Sequence, residues 1–299
     1  MMDLTDFIEH TEGLNVQGIL VTVNGQEVAR YLPEKDEARN IYSGTKSFTS
    51  AAVGLAVAEG MFALDDYVGD CFGDDMPPEP SDYLMEMKLV HLLTMSMGFE
   101  EPVLMGAMRP SMEEKDWVKF VLKQKVVRKP GTSFMYNNAG PYLLGVLVQR
   151  RSGMNLMEYL TPRLLEPLGI KAGKSEQCPM GYTFGAGGMF LNLDDFGKLG
   201  QLYLQEGRWE GKQILPAQWI RDSSREFIRA FGDEEIGEGY GYLFWTMKDG
   251  MYRADGKYEQ YCIIYPDKHA VITVKAMDVE QEKDKAVLRA VLRYIVPRL

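Results

Sequence analysis

Residues 18–32 are two strand-like runs broken by Asn24-Gly25. That dipeptide readily forms the two-residue turn between antiparallel strands, so the stretch predicts a β-hairpin, with a short helix expected before it over residues 2–12. From Ser47 onward the apolar spacing becomes helical. Helices are predicted over 47–59, closed by Gly60, then 89–94, 113–124 and 139–151, the last ended by Gly153. Two more are predicted over 193–205 and from Pro216. Strand-like sequence returns at 240–246, 258–265 and 270–275, and a helix over 281–296 closes the chain. Strand-rich ends around a helical middle predict an α+β fold: an antiparallel sheet built from both termini and flanked by helices, with an inserted, mostly α-helical lobe. The expected organisation is a single catalytic unit over 1–299, with an α/β lobe from about 1–45 and 185–299 and an inserted lobe over about 46–184. A cleft between such lobes is the expected ligand site.

Composition narrows the function classes. With 45% hydrophobic and 25% charged residues the 299-residue chain has ordinary globular content. A net charge of −10 argues against nucleic acid or an anionic membrane as the main partner, since both call for a positive footprint. The short basic stretch 123–129 reads as the solvated end of a helix. No apolar run approaches membrane-spanning length, the richest being 51–58. The acidic, amphipathic N-terminus lacks the pattern of a secretory leader, and a cytoplasmic location is expected. Cys71, Cys178 and Cys262 are odd in number and scattered, which fits reduced thiols. His10, His91 and His269 offer no paired-ligand spacing, and the acidic positions Asp65, Asp66, Asp70, Asp74 and Asp75 lack calcium-loop spacing. No metal or cofactor is therefore expected.

The chemistry concentrates at Ser43-Gly44-Thr45-Lys46, ahead of the Ala/Gly/Val-rich helical segment. Residues three apart on a helix share a face, so Lys46 can reach back to the Ser43 hydroxyl. The helix mouth also offers unpaired N–H groups and partial positive charge for an oxyanion. By itself the motif reads more often as a helix cap than as a catalytic pair. A phosphate-binding loop is excluded, because Thr45 and Asn40 stand where that loop requires glycines. Tyr136-Asn137-Asn138 follows the turn-forming 129–132 and precedes the helix beginning near Ala139. A phenol there could relay protons and an amide could hold a carbonyl or a lysine, although a buried Tyr and an Asn cap is the commoner meaning of that pattern. Ser96, in Thr94-Met95-Ser96-Met97-Gly98, lacks the first glycine of a nucleophile elbow and a placed histidine. Gly185-Ala186-Gly187-Gly188 is followed by Phe190 where a dinucleotide loop needs its last glycine, and reads instead as close backbone packing near the cleft.

Taken together, Ser43-x-x-Lys46 and Tyr136-x-Asn138 resemble the motifs of the serine β-lactamase and penicillin-binding-protein superfamily, particularly its class C β-lactamase, DD-peptidase and esterase branch. The resemblance runs along nearly the whole chain, through 57–66, 91–98, 130–136 and Gly187-Gly188-Met189 ahead of Asp194-Asp195. It implies that Ser43 is the acylated nucleophile, Lys46 its proton acceptor or electrostatic partner, and Tyr136 a proton relay, with Lys46 and Tyr136 both open as the base. Asn138 would bind the substrate carbonyl or Lys46. The family's third motif, a cation, a hydroxyl and a glycine on an edge strand, is altered here to Ala254-Asp255-Gly256, with Gln260 following. Gly256 would admit substrate beside the strand, and the Lys257 N–H would join that of Ser43 as oxyanion donor. Ala254 in place of the cation and an uncompensated Asp255 in place of the hydroxyl imply neutral or cationic small esters or amides as substrates. Alternatives implied by the resemblance are a β-lactamase or D-Ala-D-Ala carboxypeptidase, and a sensor acylated without turnover.

Overall fold

Asn24 and Gly25 both adopt left-handed backbone, with φ of 52° and 74°, as a type I′ turn requires. They join strands Val16–Val23 and Gln26–Tyr31. In the computed structural model, which describes residues 1–171, 174–230, 232–277 and 285–299, this hairpin forms one end of an eight-stranded sheet. After Gln26–Tyr31 and Val16–Val23 come Ala270–Ala276, Gln260–Tyr265, Tyr252–Gly256, Trp245–Thr246, Gly239–Tyr240 and Ile228–Arg229. Every neighbouring pair is antiparallel. The sheet is thus made from the two ends of the chain, and the α+β expectation holds.

Period-two alternation gives the long strands two apolar faces. Ile19, Val21, Ile263, Ile272 and Val274 meet Phe7 of helix Thr5–His10 and Val287, Leu288, Val291 and Ile295 of the C-terminal segment. On the other face, Cys262, Ile264 and Val271 belong to a larger core that includes Phe196, Leu199 and Leu202 of helix Leu193–Leu204. Close approach there depends on two glycines. A Cβ at Gly197 would lie 2.7 Å from Thr273 Oγ1, and one at Gly200 would lie 2.6 Å from Cys262 Sγ. The same core runs on through helix Thr45–Ala58, buried over most of its circumference, and helix Ala139–Ser152, which Gly153 ends with φ of 70°.

Several elements differ from their sequence expectation, each for a local reason. The first core helix begins at Thr45 because a 3₁₀ turn over Tyr42–Gly44 runs directly into it. The predicted strand 240–246 is two short strands, reversed at Leu243 with φ of 61° and closed by the Gly241 N–H donating to the Phe244 carbonyl at 2.9 Å. The predicted strand 258–265 starts only at Gln260, since Tyr258 and Glu259 hold φ of 64° and 65°. Strand Tyr252–Gly256 lies inside the sheet rather than at its edge, although only Tyr252 and Arg253 pair on its outer side, with Thr246 and Trp245. Of the predicted helix 281–296, residues 281–284 lie outside the described residues. The remainder is a helix over Ala286–Ala290 and a wider π turn over Val291–Ile295.

Among the described residues no helix is long and apolar enough to cross a membrane, and no cluster of His, Cys, Asp and Glu is arranged to hold a metal ion. Gly200→Leu should force helix Leu193–Leu204 off the sheet and destabilise the fold by about 2–3 kcal/mol, as overpacking does, read as a lowered urea midpoint with unchanged slope.

Candidate active site

Ser43 sits in a turn fastened from several sides. Tyr42 takes φ of 48°, unusual for a bulky residue. Its N–H donates to Asn40 Oδ1 at 2.7 Å, and its carbonyl accepts from Thr45 Oγ1 at 2.7 Å. The Ile41 N–H donates to the Met189 carbonyl at 2.9 Å. Backbone strain held in place by surrounding bonds is a frequent mark of functional turns.

One helical turn on, Lys46 is only 2% exposed. Its Nζ lies 2.9 Å from Ser43 Oγ, 2.7 Å from Asn138 Oδ1 and 2.6 Å from the Ala186 carbonyl oxygen. The last two oxygens can only accept, whereas the serine hydroxyl can also donate. Protonated, the amine donates to all three oxygens; deprotonated, its two N–H bonds serve Asn138 and Ala186 and its lone pair is left for the Ser43 hydroxyl proton. Burial holds the Lys46 amine well below the ordinary lysine value, with Arg109 adding to the shift and Asp255 opposing it.

Asn138 is free for this task because its neighbour caps the helix. The Asn137 Oδ1 accepts from the N–H groups of Ala139 and Gly140 at 2.9 and 3.3 Å, satisfying donors exposed at a helix start. Asn138 directs its Oδ1 at Lys46 and donates from Nδ2 to the Leu104 carbonyl at 2.9 Å. Lys46 is one of the two partners expected for Asn138. The Tyr136 hydroxyl hydrogen-bonds Ser43, and burial pushes its pKa up, with Ser43 opposing and Asp255 adding to the shift. Its ring stacks on Trp245, with centroids 5.6 Å apart and planes at 22°, and Lys46 Nζ stands 5.0 Å from the ring centroid.

Asp255 and Lys257 line the same cleft, with Gly256 between them packed against Ile41. A Cβ at Gly256 would lie 2.1 Å from the Ile41 carbonyl oxygen, so only glycine lets the strand approach the segment entering Ser43. Ala254 points into the core. Asp255 lines the cleft but is not the uncompensated carboxylate its sequence position implied. Residues two apart on a strand share a face, and Arg253 Nε donates to Asp255 Oδ2 at 2.9 Å. Arg253 also pairs with Glu238 at 2.7 Å, and Lys285 pairs with Glu238 in turn. Two cations and two carboxylates therefore cancel along this wall of the cleft, which Asp255 and Lys285 line.

The cleft has a volume of about 730 Å³ and includes Met105, Phe184, Trp245 and Tyr258 beside the predicted residues. Arg109 pairs with Glu176 and lays its guanidinium 4.2 Å from the Phe184 ring centroid. Ala186, Arg109, Glu176 and Trp245 escaped the sequence reading. The nearest signal was the glycine run 185–188: a Cβ at Gly188 would meet that of Glu176 at 2.3 Å, and the run's close packing presents the Ala186 carbonyl to Lys46. Ser96 is buried and bonded to Thr94 at 2.8 Å, and His91 Nδ1 accepts from the Lys88 N–H at 3.0 Å, so neither forms a second site.

Similarity to known proteins extends along most of the chain. The Beta-lactamase family profile matches residues 7–293. Lovastatin esterase of Penicillium rubens is 30% identical over 157 residues, covering 45% of this chain and 39% of the esterase, so the match spans well under half of that relative. The octameric penicillin-binding protein homologue of Pyrococcus abyssi superposes with a TM-score of 0.77 at 23% identity, over 98% of this chain and 77% of that one. EstCE1, a hydrolase with promiscuous acyltransferase activity, gives 0.75 at 14% identity, over 96% and 99%. At these identities the two structures establish a common fold.

Asn138→Asp would put a carboxylate against the buried amine and raise the Lys46 pKa, because an opposite charge at this distance favours the protonated form. Titration of isotope-labelled Lys46 by NMR should show the wild-type amine losing its proton well below 10.5, and the variant losing it at distinctly higher pH.

Proposed function

The chain belongs to the beta-lactamase family, and we propose that it is a serine hydrolase that forms an acyl-enzyme at Ser43 while cleaving small, uncharged esters or amides. The observation that carries this reading is the 2.9 Å approach of Lys46 Nζ to Ser43 Oγ, with the other hydrogen-bonding positions of the amine committed to Asn138 and Ala186. Lys46 takes the hydroxyl proton as Ser43 Oγ bonds to the substrate carbonyl carbon. The N–H groups of Ser43 and Lys257 receive the oxyanion. Tyr136, kept protonated by burial, gives its proton to the leaving oxygen or nitrogen as that bond breaks, and Lys46 restores it. Water then attacks the acyl-enzyme with the proton transfers reversed, releasing acid and free Ser43.

The preference for uncharged substrates rests on charges already committed. Arg109 is paired with Glu176, Asp255 with Arg253, and Lys285 with Glu238, while the Lys257 amine lies 4.5 Å from the Tyr258 ring centroid. Neutralisation of Asp255 also removes the reason for favouring a cationic substrate. The named esterase among the relatives points to the same class.

Hydrolysis of p-nitrophenyl butyrate should show many turnovers in the wild type and fall by at least about 10³-fold in Ser43→Ala. Turnover that survives would contradict the nucleophile, and acylation without turnover would instead support a sensor. Tyr136→Phe should lower kcat by roughly 10²–10⁴-fold, the usual worth of a positioned acid or base. Because neutral Lys46 is the active form and its pKa is depressed, kcat/KM should fall as pH drops through that pKa. No loss from Tyr136 ionisation should appear at pH 10, since its pKa is raised above the ordinary value of 10.0. Stopped rates between pH 4 and about 10 check both limbs.

A further inference from the structure

Strands Tyr252–Gly256 and Gln260–Tyr265 are joined by residues 257–259 alone, with Gly256 directly opposite Gln260. Tyr258 and Glu259 both occupy the left-handed region, at φ of 64° and 65°, where neither has the freedom of glycine. Such a turn persists only when its surroundings over-determine it. On the cleft side, Tyr258 meets Tyr42 edge-on with ring centroids 5.2 Å apart, and Gly256 abuts the Ile41 carbonyl. The neighbours of Lys257 therefore rest against the two residues that lead into Ser43. On the opposite side the Glu259 side chain is buried. Its Oε1 accepts the Val287 N–H at 3.1 Å, and its Oε2 accepts the Leu288 N–H at 2.9 Å and the Tyr261 hydroxyl at 3.2 Å.

We propose that Glu259 is a positioning residue: by tying the strained turn to the C-terminal helix, it holds the Lys257 N–H in place beside the Ser43 N–H. The inference rests on the reading of these two groups as the oxyanion donors. Glu259 touches no substrate, and its effect passes through the turn. Its anchor is the start of helix Ala286–Ala290, so the cleft backbone is set by a segment far along the chain.

The test compares wild type, Glu259→Gln and Glu259→Ala with p-nitrophenyl butyrate, rates being expressed per active site titrated by a fluorophosphonate. Loss of the tie should lower kcat by roughly 10–100-fold in Glu259→Ala with KM within about twofold, since misplacement of a transition-state contact leaves substrate binding largely intact. Glu259→Gln, which retains one acceptor oxygen, should recover part of the loss. Amide hydrogen exchange at residues 256–258 should quicken in the same order. Equal kcat per titrated site in all three proteins, or a loss confined to the folded fraction, would overturn the proposal. If Glu259→Ala fails to fold, kcat and exchange of the isosteric Glu259→Gln decide: wild-type values for both would overturn it. A wild type without Ser43-dependent turnover would instead refute the hydrolase reading, a separate failure.

Discussion

The placement of one buried amine constrains the rest of the site. Lys46 lies within the core, and an ammonium left there without a paired anion would cost several kcal/mol. The chain resolves this by surrounding Nζ with three neutral oxygens, from Ser43, Asn138 and Ala186. Those oxygens come from the turn before the buried helix, the residue before a second helix, and a glycine-rich loop, so the arrangement exists only in the folded protein. Asn137 takes over capping, the glycines 185 and 188 adopt left-handed backbone, and Thr49 Oγ1 fastens the Gly185 carbonyl at 2.6 Å. Each of these features serves the environment of the amine.

The sheet supplies the opposite wall under a similar constraint. Charges near a lysine whose pKa is lowered by burial must be balanced, or they would shift its protonation through a medium that screens weakly. Arg253, fully buried, answers Asp255 and Glu238 together, and Lys285 closes the set. Trp245 then lies between Tyr136 and these cations: its ring stacks on the tyrosine, and the Arg253 guanidinium carbon stands 5.6 Å from its centroid. The balanced charges of this wall and the aromatic packing inside the cleft are therefore parts of one assembly.

What could be read in the sequence was what local spacing determines. Asn24-Gly25 fixes a hairpin by backbone preference, Gly153 ends a helix, and Ser43 with Lys46 share a helical turn whatever lies around them. Tyr136 and Asn138 were legible only as a pattern before a helix, and nothing local revealed that Asn137 would do the capping. The Ala186 carbonyl is a backbone atom and leaves no side-chain signature. Arg253 shares a strand face with Asp255 by spacing alone, whereas its second partner, buried Glu238, is brought in only by the folded sheet. Tyr258 and Glu259 read as strand residues, because their left-handed backbone is imposed by contacts to Tyr42 and to the C-terminal helix.

The most direct test of the central claim is the mass of the intact protein, followed by peptide mapping, after brief incubation with an activated ester and rapid acid quench. A single acyl group on the peptide carrying Ser43, absent when Lys46 is replaced by methionine and lost again when the unquenched protein is left in buffer, is the predicted result. Stable acylation elsewhere, or labelling of Ser43 that is indifferent to the loss of Lys46, would contradict the account.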